Sequence, residues 1–164
     1  MASMELKALA ENGDASGLLA VLDESEYVCG YTVSDGPIPP GMTFQGMITS
    51  KKHGYCERFY VSAASMLVNT NDAFMGMDSG ALKGSYGVFY PPAYDAGTEM
   101  NNEDCMFIPG PGCAKISTEN KDTPDMGEGY VHIHRGMHDV TPDLPAATYD
   151  WRNGVAKVHI SEQI

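Results

Sequence analysis

The stretch at residues 58–72, RFYVSAASMLVNTND, is a β-rich run that ends in a polar Asn/Asp turn. Similar short runs recur along the chain, and clusters of Gly, Pro, Asn or Asp separate them. This pattern is typical of an antiparallel β-sandwich and not of alternating strands and helices. The sequence therefore predicts an all-β fold. The predicted strands cover residues 27–33, 42–49, 58–68, 88–90, 129–134 and 155–160.

One region near the N-terminus has a helical pattern. Apolar residues recur at helical spacing over residues 5–22, and an Asn-Gly-Asp break at residues 12–14 divides them, which predicts two short helices. Residues 110–127 are polar and lack periodicity, so they are predicted to form a long surface loop. Gly76, Gly80, Gly84 and Gly87 are interpreted as turn residues that let a loop fold beside an ion.

Length and charge limit the classes of protein to consider. The chain has 164 residues, of which 43% are hydrophobic, so we expect one sizeable core and a single domain over residues 1–164. Its formal charge of −12 should repel phosphate backbones and anionic membranes and attract cations. No apolar run approaches the roughly 20 residues of a membrane span. We therefore expect neither nucleic-acid binding nor membrane insertion.

The four cysteines favour disulfide bonds. Cys105 and Cys113 bracket a turn-rich loop that can bring their sulfurs together, and Cys29 and Cys56 remain as a second pair. An even count favours an oxidising compartment, so the protein is expected to be secreted, periplasmic or at the cell surface. Buried thiols and a metal site are the alternatives, although no C-x-x-C spacing occurs. Four cysteines allow three pairings, and the sequence does not choose among them.

Hard oxygen ligands are concentrated in two segments, NTND at residues 69–72 and YDAGTE at residues 94–99. Ca²⁺ takes six to eight oxygens from carboxylates, amide side chains and backbone carbonyls, usually from loops that curl around the ion. The two segments combine such groups with a glycine turn and therefore predict a calcium site. The candidate carboxylates are Asp72, Asp78, Asp95 and Glu99.

Three histidines lie close together in the segment EGYVHIHRGMH at residues 128–138. His132 and His134 alternate on a predicted strand and so share a face, and His138 can return from the following turn. Imidazole suits zinc, copper and nickel, so this segment is a candidate transition-metal site. Surface, interface or backbone-bonding histidines are the alternative interpretation.

Catalytic motifs are missing from the sequence. It contains no nucleophile elbow, phosphate-binding glycine loop or H-E-x-x-H helix. Asp72 and Asp95 are better explained as metal ligands or turn formers than as a general acid and base. The protein is therefore not expected to be an enzyme.

Several segments resemble a known family. SMLVNTNDAF at residues 65–74, YDAGTE at residues 94–99 and GEG at residues 127–129 follow the order of the bacterial form of the spondin N domain. DWRNGVAKV at residues 150–158 is similar to the family's last strand, and the resemblance covers residues 6–160. It implies a C2-like antiparallel β-sandwich that binds Ca²⁺ at one edge. It also implies a secreted or matrix protein that adheres to an extracellular protein or polysaccharide.

The resemblance places the calcium ligands on Asp72, Asp95 and Glu99, where animal members of the family carry Asp in place of Glu99. Those members also use an upstream glutamate, for which Glu57 is the nearest candidate. The family's first strand has no counterpart here, because this sequence begins at the helical region. A trimmed chain, a naturally shorter domain and a strand supplied by a neighbouring chain each explain the difference. The third explanation predicts self-association through an open sheet edge.

The histidine-rich strand is also distantly similar to surface copper-binding proteins of methane-oxidising bacteria. Those proteins use two histidines and an oxidised tryptophan that stands two residues before one of them. Here Tyr130 stands two residues before His132, and Trp151 can reach the histidines only through a tertiary contact. The alternative function is therefore a surface or periplasmic copper-binding protein, with His132, His134 and His138 as candidate ligands.

Overall fold

The computed structural model describes residues 1–49, 60–81, 86–114 and 127–162. The chain divides into two compact units, one of Met1–Leu18 with Tyr60–Ile164 and one of Leu19–Phe59. Among the described residues, the strands all lie in the first unit and pair antiparallel in two sheets, so this unit is β-rich. The elements are α1 (Met4–Asn12), α2 (Ser16–Glu24), β1 (Tyr60–Met66), β2 (Ala73–Ala81), β3 (Tyr86–Phe89), β4 (Ala93–Asp95), β5 (His132–Ile133), α3 (Ala146–Tyr149) and β6 (Val158–Ser161).

The two predicted helices are confirmed as α1 and α2. Ser3 begins α1, because its hydroxyl accepts a hydrogen bond from the Leu6 N–H at 3.2 Å. Gly13 ends it with a left-handed φ of 68°, which lets its N–H reach carbonyls of the preceding turn. Asp14 then accepts a hydrogen bond from the Ser16 N–H at 2.9 Å as α2 begins. None of the described helices has the length and apolar character needed to cross a bilayer.

The larger sheet has the strand order β1, β2, β4, β5, and the smaller sheet pairs β3 with β6. Four predicted strands overlap observed ones, namely those at residues 58–68, 88–90, 129–134 and 155–160. The observed bounds differ by a few residues, as is usual at strand ends. Because β5 is the last strand of the larger sheet, it forms an edge beside β4.

The strands predicted at residues 27–33 and 42–49 are wrong, because neither run forms a strand in the structure. The two runs do lie side by side, since a Cβ on Gly30 would be 2.7 Å from the Thr49 carbonyl oxygen. β-Propensity measures how well side chains fit a sheet surface, and a strand results only where a regular backbone ladder also forms.

β2 and β3 contradict the interpretation of these glycines as turn residues, since Gly76 and Gly80 lie inside β2 and Gly87 lies inside β3. Gly84 lies outside the described residues. Aromatic packing explains Gly76. A Cβ on Gly76 would lie 2.9 Å from the Tyr94 ring and 3.0 Å from the Phe74 ring. These two rings stack with centroids 5.6 Å apart. Gly76 therefore makes room for aromatic side chains over the strand and does not reverse the chain.

Two apolar clusters stabilise the first unit. In one, Ala10 of α1 packs with Phe74 of β2 and Ala96, and Leu6 and Tyr94 pack against them. The other lies around the loops that follow β4 and β5, and therefore beside the histidine segment. It consists of Cys105, Ile108, Cys113, Met137 and Leu144, with Ala146, Tyr149 and Trp151 packed against it.

The predicted disulfide between Cys105 and Cys113 is confirmed, and their Cα atoms lie 5.0 Å apart. Cys29 is also disulfide-bonded. Cys56, the partner predicted for it, lies outside the described residues. The loop predicted at residues 110–127 is described only at its two ends, and a turn at residues 111–114 carries Cys113.

Replacing both Cys105 and Cys113 with Ser is expected to lower the free energy of unfolding by about 2–3 kcal/mol, because the bond closes a short loop in the unfolded chain. Both side chains are buried in the second apolar cluster, so their loss also weakens packing there. Urea unfolding followed by circular dichroism measures the change. An unfolding free energy equal to that of the oxidised wild type would contradict a structural role for the bond.

Candidate metal centre

The register of the larger sheet places Asp95 and His132 side by side. Asp95 ends β4 and pairs with His132 of β5. Residues directly opposite each other in an antiparallel pair point to the same face, with Cβ atoms about 5 Å apart. His134 follows two residues later on that face, and its N–H bonds to the Ala93 carbonyl. His132 Nδ1 lies 3.9 Å from Asp95 Oδ1, and His134 Nε2 lies 4.0 Å from Asp95 Oδ2.

Glu128 reaches this pair because residues 127–130 pack against the loop that follows β4. The Gly129 N–H bonds to the Gly97 carbonyl at 2.8 Å, and Gly97 has a left-handed φ of 66°. A Cβ on Gly97 would lie 2.3 Å from the Tyr130 carbonyl oxygen, so the two backbones approach too closely for any other residue. This contact fixes the segment that carries Glu128.

Asp95, Glu128 and His132 form a group with metal-binding geometry. One ligand atom from each lies within 4.8 Å of the others, which is close enough for a single ion to contact all three. Asp95 is buried, His132 is half-buried and Glu128 is exposed, so the group opens to solvent on the Glu128 side. Two carboxylates and an imidazole suit a divalent cation, with the imidazole favouring a transition metal.

Asp72 joins the turn at residues 69–72 to the loop after β4. Its Oδ2 accepts hydrogen bonds from the Thr98 N–H at 2.7 Å, the Thr98 hydroxyl at 3.1 Å and the Glu99 N–H at 3.0 Å. Its Oδ1 is buried and has no hydrogen-bond partner in the described part of the chain. A buried carboxylate oxygen without a donor is costly, and a bound cation is one way to satisfy it.

Burial controls the electrostatics of the two aspartates, which are both 0% exposed. Burial raises the pKa of Asp72, and the charge of Asp95 raises it further, against the hydrogen bonds from the loop after β4. Burial also raises the pKa of Asp95, against a hydrogen bond from Asn101. Within the described ranges, Asp95 lies at ion-pair distance only from His132 and His134, and neither aspartate has a Lys or Arg at that distance. The site therefore concentrates negative charge that a cation would neutralise.

His134 is held on both sides of its ring. Its Nδ1 lies 3.0 Å from the Gly136 N–H, and its Nε2 lies 3.1 Å from Asn101 Oδ1. The Asn101 amide in turn donates from Nδ2 to Asp95 Oδ2. His134 is 6% exposed, and burial lowers its pKa. Its ring contacts Trp151, with centroids 5.0 Å apart, so Trp151 does reach the histidines through a tertiary contact.

A cavity of about 260 Å³ borders the site. Glu103, with a left-handed φ of 54°, lies in its wall and is 5% exposed. Its two carboxylate oxygens accept the N–H groups of His138 at 2.6 Å and Val140 at 2.8 Å. Glu103 therefore fixes the loop that carries His138. The His138 side chain lines the cavity but does not join the group of three.

Of the remaining predicted ligands, Glu99 and Asp78 lie in different places. Glu99 is buried, and its N–H bonds to Asp72, so the two acidic segments are in contact. Asp78 lies toward the far end of β2, is exposed, and accepts a hydrogen bond from the Ser62 hydroxyl at 3.2 Å. It therefore lies away from the group of three. Glu57 lies outside the described residues.

Three residues that shape the site were not predicted from the sequence. Glu128 stands in the Gly-Glu-Gly segment, whose two glycines were the available signal, because they permit a close backbone approach. Asn101 and Glu103 follow the second acidic segment without any motif that marks them. Their roles depend on partners about 30 residues further along the chain, which sequence spacing does not show.

No family model matches this sequence, and no curated protein or solved structure matches it either.

Proposed function

We propose that this protein binds one divalent metal ion at the edge of its larger sheet, where Asp95, Glu128 and His132 converge. The observation that carries the proposal is the burial of Asp72 and Asp95 without a Lys or Arg partner among the described residues, with Asp72 Oδ1 left without a hydrogen bond. Buried carboxylates that face each other repel and are costly unless positive charge is paired with them. A divalent cation supplies that charge.

Calcium is the ion that we propose first. The acidic segments at residues 69–72 and 94–99 resemble the calcium loops of the spondin N domain, and their contact through Asp72 supports a shared ion. Asp95 and Glu128 would supply carboxylate oxygens, which Ca²⁺ prefers, and the charge of the ion would also offset that of Asp72, which like Glu99 lies outside the group of three. A bound ion would fix these loops relative to each other, so that the sheet edge forms a stable recognition surface.

The wider role follows from the same resemblance. The protein would be a secreted, periplasmic or cell-surface module with a C2-like β-sandwich, and it would adhere to an extracellular protein or polysaccharide. The disulfide between Cys105 and Cys113 supports an oxidising compartment. In this proposal the ion has a structural role, and the protein is not an enzyme.

Isothermal titration calorimetry with Ca²⁺ on chelator-treated protein tests the proposal. We expect one ion per chain for the wild type and a loss of affinity of at least about 100-fold for Asp95→Asn, beyond what outer-shell changes usually produce. Asp78→Asn is the matched control, because it makes the same chemical change at an exposed carboxylate away from the site. Equal Ca²⁺ affinity in the two variants would overturn the site.

A transition metal such as copper is the second candidate, and the imidazole of His132 in the group of three is the observation that favours it. Imidazole nitrogen is a common copper ligand and a rare calcium ligand. If copper is the ion, His132→Ala should lower Cu²⁺ affinity by roughly tenfold or more while Ca²⁺ affinity stays within about threefold of wild type. Unchanged Cu²⁺ affinity in His132→Ala would remove this candidate.

A further inference from the structure

His134 differs from His132 in the partners of its ring nitrogens. The Gly136 N–H can only donate, so His134 Nδ1, 3.0 Å away, must be the unprotonated nitrogen that accepts. In a neutral imidazole the proton then lies on Nε2, which faces Asn101 Oδ1 at 3.1 Å. The carbonyl oxygen of Asn101 can only accept, so this contact requires the same Nε2–H tautomer. The two contacts therefore agree independently on where the proton lies.

The chain of donors continues to the metal site. Because Asn101 accepts from His134 through Oδ1, its amide nitrogen faces Asp95 Oδ2 and donates to it. The relay runs from the Gly136 N–H through His134 and Asn101 to Asp95. In each of its three contacts an N–H group donates to a nitrogen or oxygen that can accept. Neither ring nitrogen of His134 has a lone pair left for a metal ion, although Nε2 lies only 4.0 Å from Asp95 Oδ2.

We propose that His134 is a positioning residue and not a metal ligand: through Asn101 it holds the Asp95 carboxylate in the orientation that receives the ion. The positioning role rests on the proposed metal site, whereas the tautomer does not. Outer hydrogen bonds of this kind orient ligating carboxylates, and their loss typically lowers metal affinity by about 10- to 100-fold. His134 is well suited to the task, because its ring is buried against Trp151 and cannot turn freely.

Nuclear magnetic resonance of the histidine ring nitrogens tests the tautomer in the wild-type protein. Long-range ¹H–¹⁵N spectra of the metal-free protein are expected to show His134 with an unprotonated Nδ1 and a protonated Nε2. We expect this pattern to persist with saturating Ca²⁺ or Zn²⁺, while the His132 resonances move when Zn²⁺ binds. The opposite tautomer, or loss of the Nε2–H when either ion binds, would overturn the proposal.

Calorimetric titration of variants with Ca²⁺ and with Zn²⁺ tests the positioning role. His134→Ala is expected to lower metal affinity by about 10- to 100-fold. His134→Gln retains an amide donor for Asn101 and should stay within about threefold of wild type. Asn101→Ala should match His134→Ala, and the double variant should be no weaker than either single variant, because both changes break the same relay.

Two results would overturn the positioning role. If His134→Gln lost as much affinity as His134→Ala while both stayed folded by circular dichroism, the imidazole itself would be required, as for a ligand. If the wild type bound none of Ca²⁺, Zn²⁺ and Cu²⁺, the positioning role would fall with the proposed function. The ring-nitrogen spectra of the metal-free protein would still decide the tautomer, so the two failures are distinguishable.

Discussion

Replacing Gly97 with Ala is expected to lower the free energy of unfolding by more than about 3 kcal/mol, and to abolish metal binding, because it combines backbone strain with a backbone collision. The added Cβ would lie 2.3 Å from the Tyr130 carbonyl oxygen, at a left-handed φ of 66°. Relief of that contact moves the segment that carries Glu128 away from Asp95. Chemical unfolding and Ca²⁺ calorimetry on the same variant measure both effects.

Gly129→Ala is the matched control for this experiment. Gly129 also has a left-handed φ, 79°, but a Cβ there would meet nothing within 4 Å. The free energy of unfolding of Gly129→Ala should therefore fall only by the strain of the left-handed conformation, about 1–2 kcal/mol. If Gly97→Ala and Gly129→Ala were destabilised equally and both bound metal, the close approach of the two backbones would not exist in solution.

Replacing Asp72 with Asn is expected to change stability in opposite directions with and without metal. In the metal-free protein the substitution removes a buried charge near Asp95 while an amide oxygen still accepts from Thr98 and Glu99, so we expect a gain of roughly 1 kcal/mol. With Ca²⁺ at about 100 times its dissociation constant, the wild type should gain about 2.7 kcal/mol and Asp72→Asn should gain less than half of that.

Thermal unfolding in chelator and in excess Ca²⁺ measures this reversal. Asp78→Asn, at an exposed carboxylate, should follow the wild type under both conditions. An Asp72→Asn protein destabilised equally with and without Ca²⁺ would show that Asp72 acts only as a hydrogen-bond acceptor for the loop after β4. The buried Oδ1 of Asp72 would then not interact with a cation.

The parts of the fold that sequence predicted correctly have local causes. Gly13 and Asp14, in the predicted break between the two helices, act within one turn of their own positions, so this break could be inferred from neighbouring residues alone. The Cys105–Cys113 bond closes a short loop, and the sequence separation of 8 favoured this pairing without excluding the other two.

The parts that sequence reasoning missed depend on distant partners. Gly76 was interpreted as a turn residue, but the structure shows that it makes room for the rings of Phe74 and Tyr94. The runs at residues 27–33 and 42–49 have β-type composition but no regular ladder in the structure. β4 has only three residues, too few for a periodic pattern, yet it carries Asp95.

For the same reason, the sequence predicted only some of the residues of the candidate site. The composition of the two acidic segments, and of the histidine pair, indicated candidate metal ligands. The alternation rule placed His132 and His134 on one face but could not distinguish their roles, because these depend on which groups meet each ring nitrogen. Gly136 and Asn101 make that distinction through tertiary contacts.

The metal content per chain decides whether Asp95 lies in a metal centre. We would measure it by inductively coupled plasma mass spectrometry on protein purified without chelator, added metal or histidine tag, beside Asp95→Asn and Asp78→Asn purified in the same way. The predicted result is about one divalent ion per chain in the wild type and in Asp78→Asn, and far less in Asp95→Asn. Metal-free wild type, or equal metal in all three proteins, would contradict a metal centre at Asp95.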